Sequence, residues 1–451
     1  MNRTVIIRLT RYGIPATIAA VVVAGMWLYT FTYFWLDDFN NVYWIRREGF
    51  WRLIGDILNP SSLFFRPLGM LVYWIVFRVA ALHSLPYHLL SWALHSINTA
   101  LVFFLLRRIT KSHYAAGFAV LFFTFRANHA DIYWSFANIF QLLAFGLVLT
   151  GLLLYDRFGY SIKETLALTA ILVLAIRAEE HGVLLPILWF AYEWLIRRNL
   201  NWRRLWLRYA IFTVVMAWFT YFKLTTMHDP DPTRPYYLDL SVLTFGRGYG
   251  WYFNSLYQTH LRWGGWFTIS ALLAILFAIR KNARAVFFML FTYVTLLPYV
   301  FLVNHRFELY SYLPFVGVAG LLGLGVNAIQ KGMRKVFSQP VAAAALSVLF
   351  LAAAAGNFRH EENRGRIGRG YLRDVFSEYR SFLTDLRSLP DAGTVPILYY
   401  TALPRHMDKD TVLCATEFAL NRIDVETKVV ESCPAEGACI AFENGRLRRI
   451  Q

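Results

Sequence analysis

The sequence predicts an all-α polytopic membrane protein with a small α/β domain at its C-terminal end. Three observations carry that expectation. The chain of 451 residues is 57% hydrophobic and only 16% charged, whereas soluble chains are roughly 45–50% apolar and about 25% charged. Apolar runs approaching the ~20 residues that cross a bilayer recur along most of its length. Aromatic residues reach 18%, which suits Trp and Tyr belts at the two interfaces of many spans.

The distribution of charge orders the spans. The formal net charge is +17. From Phe358 onward, 14 Lys and Arg balance 14 Asp and Glu, so the whole excess lies in residues 1–357, with 31 basic and 14 acidic side chains. There the basic residues cluster in short polar breaks between apolar runs. That is the positive-inside pattern and not a nucleic-acid footprint, so no nucleic-acid partner is expected.

Arg3, Arg8 and Arg11 precede an apolar run from Ile14 to Trp35 that is too long for a signal peptide, so an uncleaved first span is expected near 13–36. Further spans are expected near 87–107, 113–128, 133–155, 163–178, 182–197, 205–225, 263–280, 285–303, 309–329 and 340–357, about eleven in all. Pro67–Leu82 is apolar but short and carries Arg78, so it reads either as a span or as an interfacial helix. If it lies flat, the breaks at 107–111, 157–163, 197–208, 280–284 and 331–335 all face the cytoplasm with 16 Lys and Arg between them. If it spans, all of these move outside. The basic bias sets orientation, so the expected topology is N-terminus in, tail out, with a flat helix in the first outer loop.

On that topology residues 1–357 form the transmembrane domain, with a first outer loop at 37–86, and residues 358–451 form a small extracytoplasmic domain. In the tail, 371–388 reads as an amphipathic helix with Leu372, Val375, Phe382 and Leu386 on its apolar face, and 395–400 reads as a strand. All three cysteines lie there: Cys414, Cys433 and Cys439. Cys433 and Cys439 close a short loop and are the preferred pair if the tail lies outside; the alternative is three free thiols.

Carboxylates and histidines concentrate on the expected outer face. Asp37-Asp38 follows the first span directly, where ionisable groups are costly and usually have a job. The alternative is an acidic span end without chemistry. Arg66 closes the polar part of the first loop, and a guanidinium matches a phosphate bidentately; the alternative is an arginine snorkelling to lipid head groups. His129 and Asp131 share a second turn, and Glu179, Glu180 and His181 a third. Arg234 lies in a central loop, and Arg306 with Glu308 in a fifth turn. The second and third turns could each supply a second carboxylate, a metal ligand or a sugar-hydroxyl contact, and Arg234, Arg306 and Glu308 are candidate substrate contacts. Spacing alone defines no metal site.

Read in order, these motifs resemble the GT-C superfamily of integral membrane glycosyltransferases, in particular its protein O-mannosyltransferase-like branch. The residues carrying the resemblance are Asp37-Asp38, Phe65-Arg66-Pro67-Leu68, His88 with His95 and Asn98, Asn128-His129-Ala130-Asp131, Glu180-His181-Gly182, and Glu308-Leu309-Tyr310-Ser311-Tyr312-Leu313-Pro314. The resemblance covers roughly 30–330. It implies a GT-C fold, a polyprenyl-phosphate sugar donor, inverting hexosyl or pentosyl transfer on the outer face, and a first-loop acid as general base. Carried over, Asp37 is the base, Asp38 its partner, Asp131 the second-turn acid, and Arg66 the donor-phosphate contact. Relatives have an Arg after the Glu of the last motif where this chain has Leu309; Arg306 stands nearby. Some relatives need a divalent metal and others do not. The acceptor stays open among protein, glycan and lipid, and the expected location is a bacterial inner membrane. A polyprenyl-linked sugar flippase is the competing function, but it would place its charges at mid-membrane.

Overall fold

The structure, a computed structural model, describes residues 32–59, 66–124, 132, 134–227, 231–257, 259–390, 392–434 and 438–450. Residues 13–31 of the expected first span at 13–36, and the second-turn candidates His129 and Asp131, lie outside the described residues; the described end of that span, 32–35, is not helical, and Leu36 already belongs to the next helix.

The chain is mostly helical. After an extended Trp35 comes α1 (Leu36–Arg47), then α2 (Phe50–Leu58) and α3 (Pro67–Ala80). The bundle follows: α4 (Ser84–Thr110), α5 (His113–Thr124), α6 (Ile139–Arg157), α7 (Ile162–Ala178), α8 (Leu185–Tyr192), α9 (Trp202–Met227), α10 (Val242–Tyr257), α11 (Trp263–Ile279), α12 (Ala283–Val300) and α13 (Phe315–Val336). Among the described residues, five helical stretches are long and apolar enough to cross a membrane: Ser84–Thr110, Phe136–Arg157, Trp202–Lys223, Ala283–Val300 and Phe315–Met333. The region expected as a span at 309–329 does not begin as an α-helix. Glu308–Ser311 is a 3-10 turn, and α13 starts only at Phe315, after Pro314. The ambiguous segment is a helix of 14 residues, which at 1.5 Å per residue is about 21 Å, shorter than the ~30 Å hydrocarbon core.

One helix, α14 (Gln339–Ser388), runs 50 residues without a break from the last expected span into the tail. Val375, Tyr379, Phe382, Leu383 and Leu386 are buried on one face of its C-terminal half, the spacing of an amphipathic helix. Beyond it lie β1 (Ile397–Ala402), α15 (Lys409–Leu420), β2 (Glu426–Val429), β3 (Ala438–Glu443) and β4 (Arg446–Arg449). Their sheet has the order β2-β1-β3-β4. β1 is parallel to β2 and to β3, and β3 pairs with β4 antiparallel in the register Ile440↔Arg449. The hairpin turns at Asn444-Gly445, both with positive φ, as a tight two-residue turn requires. Cys433 and Cys439 are joined in a disulfide, and Cys414 is free and buried.

The tail is not a detached module. One apolar core joins Phe34, Phe39 and Val42 at the start of the first loop, Tyr73 of α3 and Tyr87 of α4 to Val375, Tyr379, Phe418 and Leu447 of the tail. The Phe34 ring lies 5.2 Å from Tyr87 and 5.0 Å from Phe418, edge-on to both. A separate core fills the bundle, drawn from α4 to α13 together with Leu346 and Phe350 of α14. The position of α1 is therefore set jointly by bundle and tail.

Candidate active site

The site is built on α1. Its first turn holds Asp37 and Asp38 and its last turn Arg46 and Arg47, each sign at the helix end whose dipole favours it. Asp38 is fully buried. One of its carboxylate oxygens accepts from the Trp35 backbone N–H at 2.8 Å, and the other from the Tyr73 hydroxyl at 2.7 Å. Burial outweighs these bonds and pushes the carboxyl up to about 7. Asp37 is exposed and opens into a cavity of about 490 Å³, within the usual range for small-ligand sites.

Arg66, just before α3, lines the same cavity, and so do Asn40 and Asn41 of α1, Gln141 of α6, and Tyr236, His305 and Tyr310. Although the Asp37 side chain reaches the cavity, desolvation by the surrounding walls raises its carboxyl above the ordinary value; the Arg66 guanidinium opposes this and Asp408 of the tail adds to it. A carboxylate raised in this way is a stronger base than an ordinary Asp.

Arg66 is held from behind by the turn after α7. Its Nη2 lies 3.0 Å from Glu180 Oε2 and 3.5 Å from Glu179 Oε1. Lys223 of α9 reaches the other Glu180 oxygen at 2.6 Å. Burial alone would lower the Arg66 pKa, but Glu180 and Glu179 outweigh it and hold the guanidinium firmly protonated. For Glu180, burial would raise the carboxyl; Arg66 and Lys223 outweigh it and hold the group below the usual range. His181 is buried, with Nδ1 2.8 Å from Glu179 Oε2 and in contact with the Tyr299 hydroxyl. Tyr299 stacks on Tyr310 with ring centroids 3.9 Å apart. Glu179, His181, Tyr299 and Tyr310 thus form a continuous chain of contacts from the back of Arg66 to the cavity wall.

The turn folds this tightly because of Gly182. A Cβ there would lie 2.2 Å from the Ile176 nitrogen, so only glycine lets the chain return onto α7.

Of the residues expected from sequence, Asp37 and Arg66 share the cavity, and Glu180 and His181 stand directly behind Arg66. Asp38 points away and ties α1 to α3. Arg234, Arg306 and Glu308 do not line this cavity. Arg234 lies 3.7 Å from Asp231, both largely exposed. Arg306 and Glu308 are absent from the lining, although their neighbours His305, Phe307 and Leu309 belong to it. Sequence reading missed Asn40, Asn41 and Tyr236 as site residues. The first two carried a usable signal, since they follow Asp37 by three and four residues and so share its helix face. Among the described residues, no group of three or more His, Cys, Asp or Glu could hold a metal ion.

The described residues form a mostly helical bundle with helices and a cavity at the first loop and a small C-terminal sheet, an architecture consistent with the expected GT-C fold. No protein-family model and no curated protein sequence matches the chain. Among solved structures, the crystal structure of ArnT from Cupriavidus metallidurans bound to undecaprenyl phosphate is similar, with a TM-score of 0.51 over 91% of this chain and 85% of that one, at 13% identity. At that identity the likeness is one of fold.

Proposed function

We propose that the protein is an inverting glycosyltransferase that moves a hexose or pentose from a polyprenyl-phosphate donor to an acceptor hydroxyl, with Asp37 as general base. The observation that carries this reading is that Asp37 and Arg66 line one cavity of about 490 Å³. The acceptor oxygen attacks the anomeric carbon as the carbon–oxygen bond to the donor phosphate breaks. The acceptor proton passes to the Asp37 carboxylate, and the new negative charge on the leaving polyprenyl phosphate falls beside the Arg66 guanidinium. Asn40, Asn41 and Gln141 supply amide groups suited to sugar hydroxyls. ArnT, the fold relative, is bound to undecaprenyl phosphate, which supports the donor class. The motifs quoted above favour the O-mannosyltransferase-like branch.

In this reading residues 1–357 are the catalytic membrane domain, 358–451 the extracytoplasmic domain, and the cavity faces away from the cytoplasm of a bacterial inner membrane. The disulfide in the tail supports that side, since such bonds persist in oxidising compartments. The test is donor turnover by purified protein on a panel of polyprenyl-phosphate sugars, with protein, glycan and lipid acceptors, and with divalent metal or chelator. Turnover that survives Asp37→Ala sinks the mechanism. Cysteines placed at 107–111 test the topology: labelling from outside the cell would overturn it.

A further inference from the structure

A second cavity, of about 640 Å³, lies at the far end of α4. That helix has 27 residues, so its ends are about 40 Å apart; its start packs against the Asp37 region through Tyr87 and Phe34. Five cations line the second cavity, Arg107, Arg108, Lys111, Arg157 and Arg197, with one carboxylate, Asp156. They come from three polar breaks, after α4, after α6 and after α8, which the fold gathers into one concavity. A positive-inside bias accounts for basic residues in each break, but it does not require the breaks to converge.

Two of the cations are already committed. Arg108 pairs with Asp156. Arg197, at the end of a π-helical turn over Glu193–Arg197, reaches Glu193 at 3.2 Å and the carbonyls of Tyr155, Asp156 and Phe158 at 2.6, 2.7 and 2.9 Å. The Tyr192 hydroxyl donates to the remaining Asp156 oxygen at 2.7 Å. Asp156 is therefore fully engaged, and the lining offers no further carboxylate to offset Arg107, Lys111 and Arg157. Concave walls of one charge sign concentrate the field. Phe104, Leu153 and Ile196 give the same cavity an apolar side, where a chain attached to an anion could rest.

We propose that this cavity is a second binding site, for a phosphate-bearing anion, with Arg107, Lys111 and Arg157 as its ligands. Basic pockets between membrane helices hold anionic lipid head groups by this chemistry, and a free phosphoanion would use the same three side chains. The site is independent of sugar transfer at Asp37.

The experiment is native mass spectrometry of the purified full-length protein, titrated separately with phosphatidylglycerol, phosphatidylcholine and inorganic pyrophosphate. Phosphatidylglycerol is expected to bind at least about tenfold more tightly than phosphatidylcholine, and the triple variant Arg107→Gln, Lys111→Gln, Arg157→Gln to lose at least about tenfold of that affinity. Pyrophosphate bound as tightly as phosphatidylglycerol, and lost in the same variant, assigns the site to free phosphoanions; much weaker pyrophosphate binding assigns it to lipid. The charge-preserving pair Arg107→Lys, Arg157→Lys should stay within a few-fold of the parent. The proposal is overturned if the triple variant binds like the parent, or if phosphatidylcholine binds as well as both anions. Should the triple variant fail to fold, each single Gln variant read in the same way carries the test, with a severalfold loss expected.

Discussion

Asp37 and Asp38 are neighbours in sequence and face opposite environments: Asp37 opens into the cavity shared with Arg66, while Asp38 is buried against Trp35 and Tyr73. One step along a helix turns the side chain by about 100°, so a helix starting at Leu36 must send the two carboxylates apart. Asp37→Asn should therefore cut donor turnover by at least about 100-fold with little change in unfolding temperature. Asp38→Ala should do the reverse. It leaves the Tyr73 hydroxyl and the Trp35 N–H without their acceptor and should cost about 1–3 kcal/mol in stability. Parallel kinetics and thermal unfolding of the two variants check the assignment.

The buried Asp38 also makes stability depend on pH. Its carboxyl rises from 3.8 to about 7 in the folded protein. Between those values the folded state keeps a proton that the unfolded state releases, so stability falls as pH rises. The contribution is fully present below about pH 4 and is lost as pH climbs through about 7. Asp38→Asn cannot titrate, and unfolding measured across this window should show a flatter slope than the parent.

Much of this arrangement is legible in the sequence, and the rest is hidden for definite reasons. Apolar runs mark helices because a bilayer demands internally satisfied backbone, and the face of Val375, Phe382 and Leu386 marks the amphipathic stretch of α14. Asp37, Arg66 and Glu180 stand out as ionisable groups at the ends of apolar runs. Two things are invisible. The docking of Phe418 on Phe34 joins segments far apart in the chain, and no local pattern encodes it. The distinction between Asp37 and Asp38 depends on where α1 begins, and the apolar run of the expected first span continues to Leu36 without a local stop signal.

Arg66 and Glu180 should matter to different quantities. Arg66→Lys keeps the charge but loses the planar fork, so kcat/KM for the donor should fall at least about tenfold while acceptor KM changes little. Glu180→Gln releases both Arg66 and Lys223. The paired side chains of Arg66 and Glu180 are 26% and 23% exposed, so the loss should be about 1–3 kcal/mol, below the 3–5 kcal/mol typical of a fully buried pair. Because Glu180 is held below its ordinary 4.5, the stability that the parent gains from this pair is present above that pH and disappears as pH falls. Acid unfolding should accordingly begin from a lower plateau in the variant.

Gly182 should tolerate no side chain. A methyl group there would meet the backbone of Ile176, which cannot retreat without unwinding the end of α7. Gly182→Ala should destabilise the protein by about 1–3 kcal/mol. It should also lower donor turnover, because the same turn carries Glu179 and Glu180 behind Arg66. Thermal unfolding and donor kinetics on one preparation read both effects.

The tail should act on catalysis through α1. Glu417 of α15 is almost fully buried, with its carboxylate 2.6 Å from Arg47 and its carbonyl 2.8 Å from Arg46 Nη1. The neighbouring Phe418 packs 5.0 Å from Phe34 and 5.4 Å from Phe39. The two ends of α1 are thus clamped by the tail, the C-terminal end by charge and the N-terminal end by aromatic packing, and Asp37 lies in the first turn beside the aromatic clamp. Phe418→Ala removes the packing and should cost about 3–5 kcal/mol locally, which would loosen α1 without touching the bundle core. Expected results are faster proteolysis within 409–451, a transmembrane portion that still migrates as folded, and a fall in kcat larger than the change in donor KM. Unchanged kcat in a variant whose tail is demonstrably loosened would mean that α1 holds Asp37 in place without the tail.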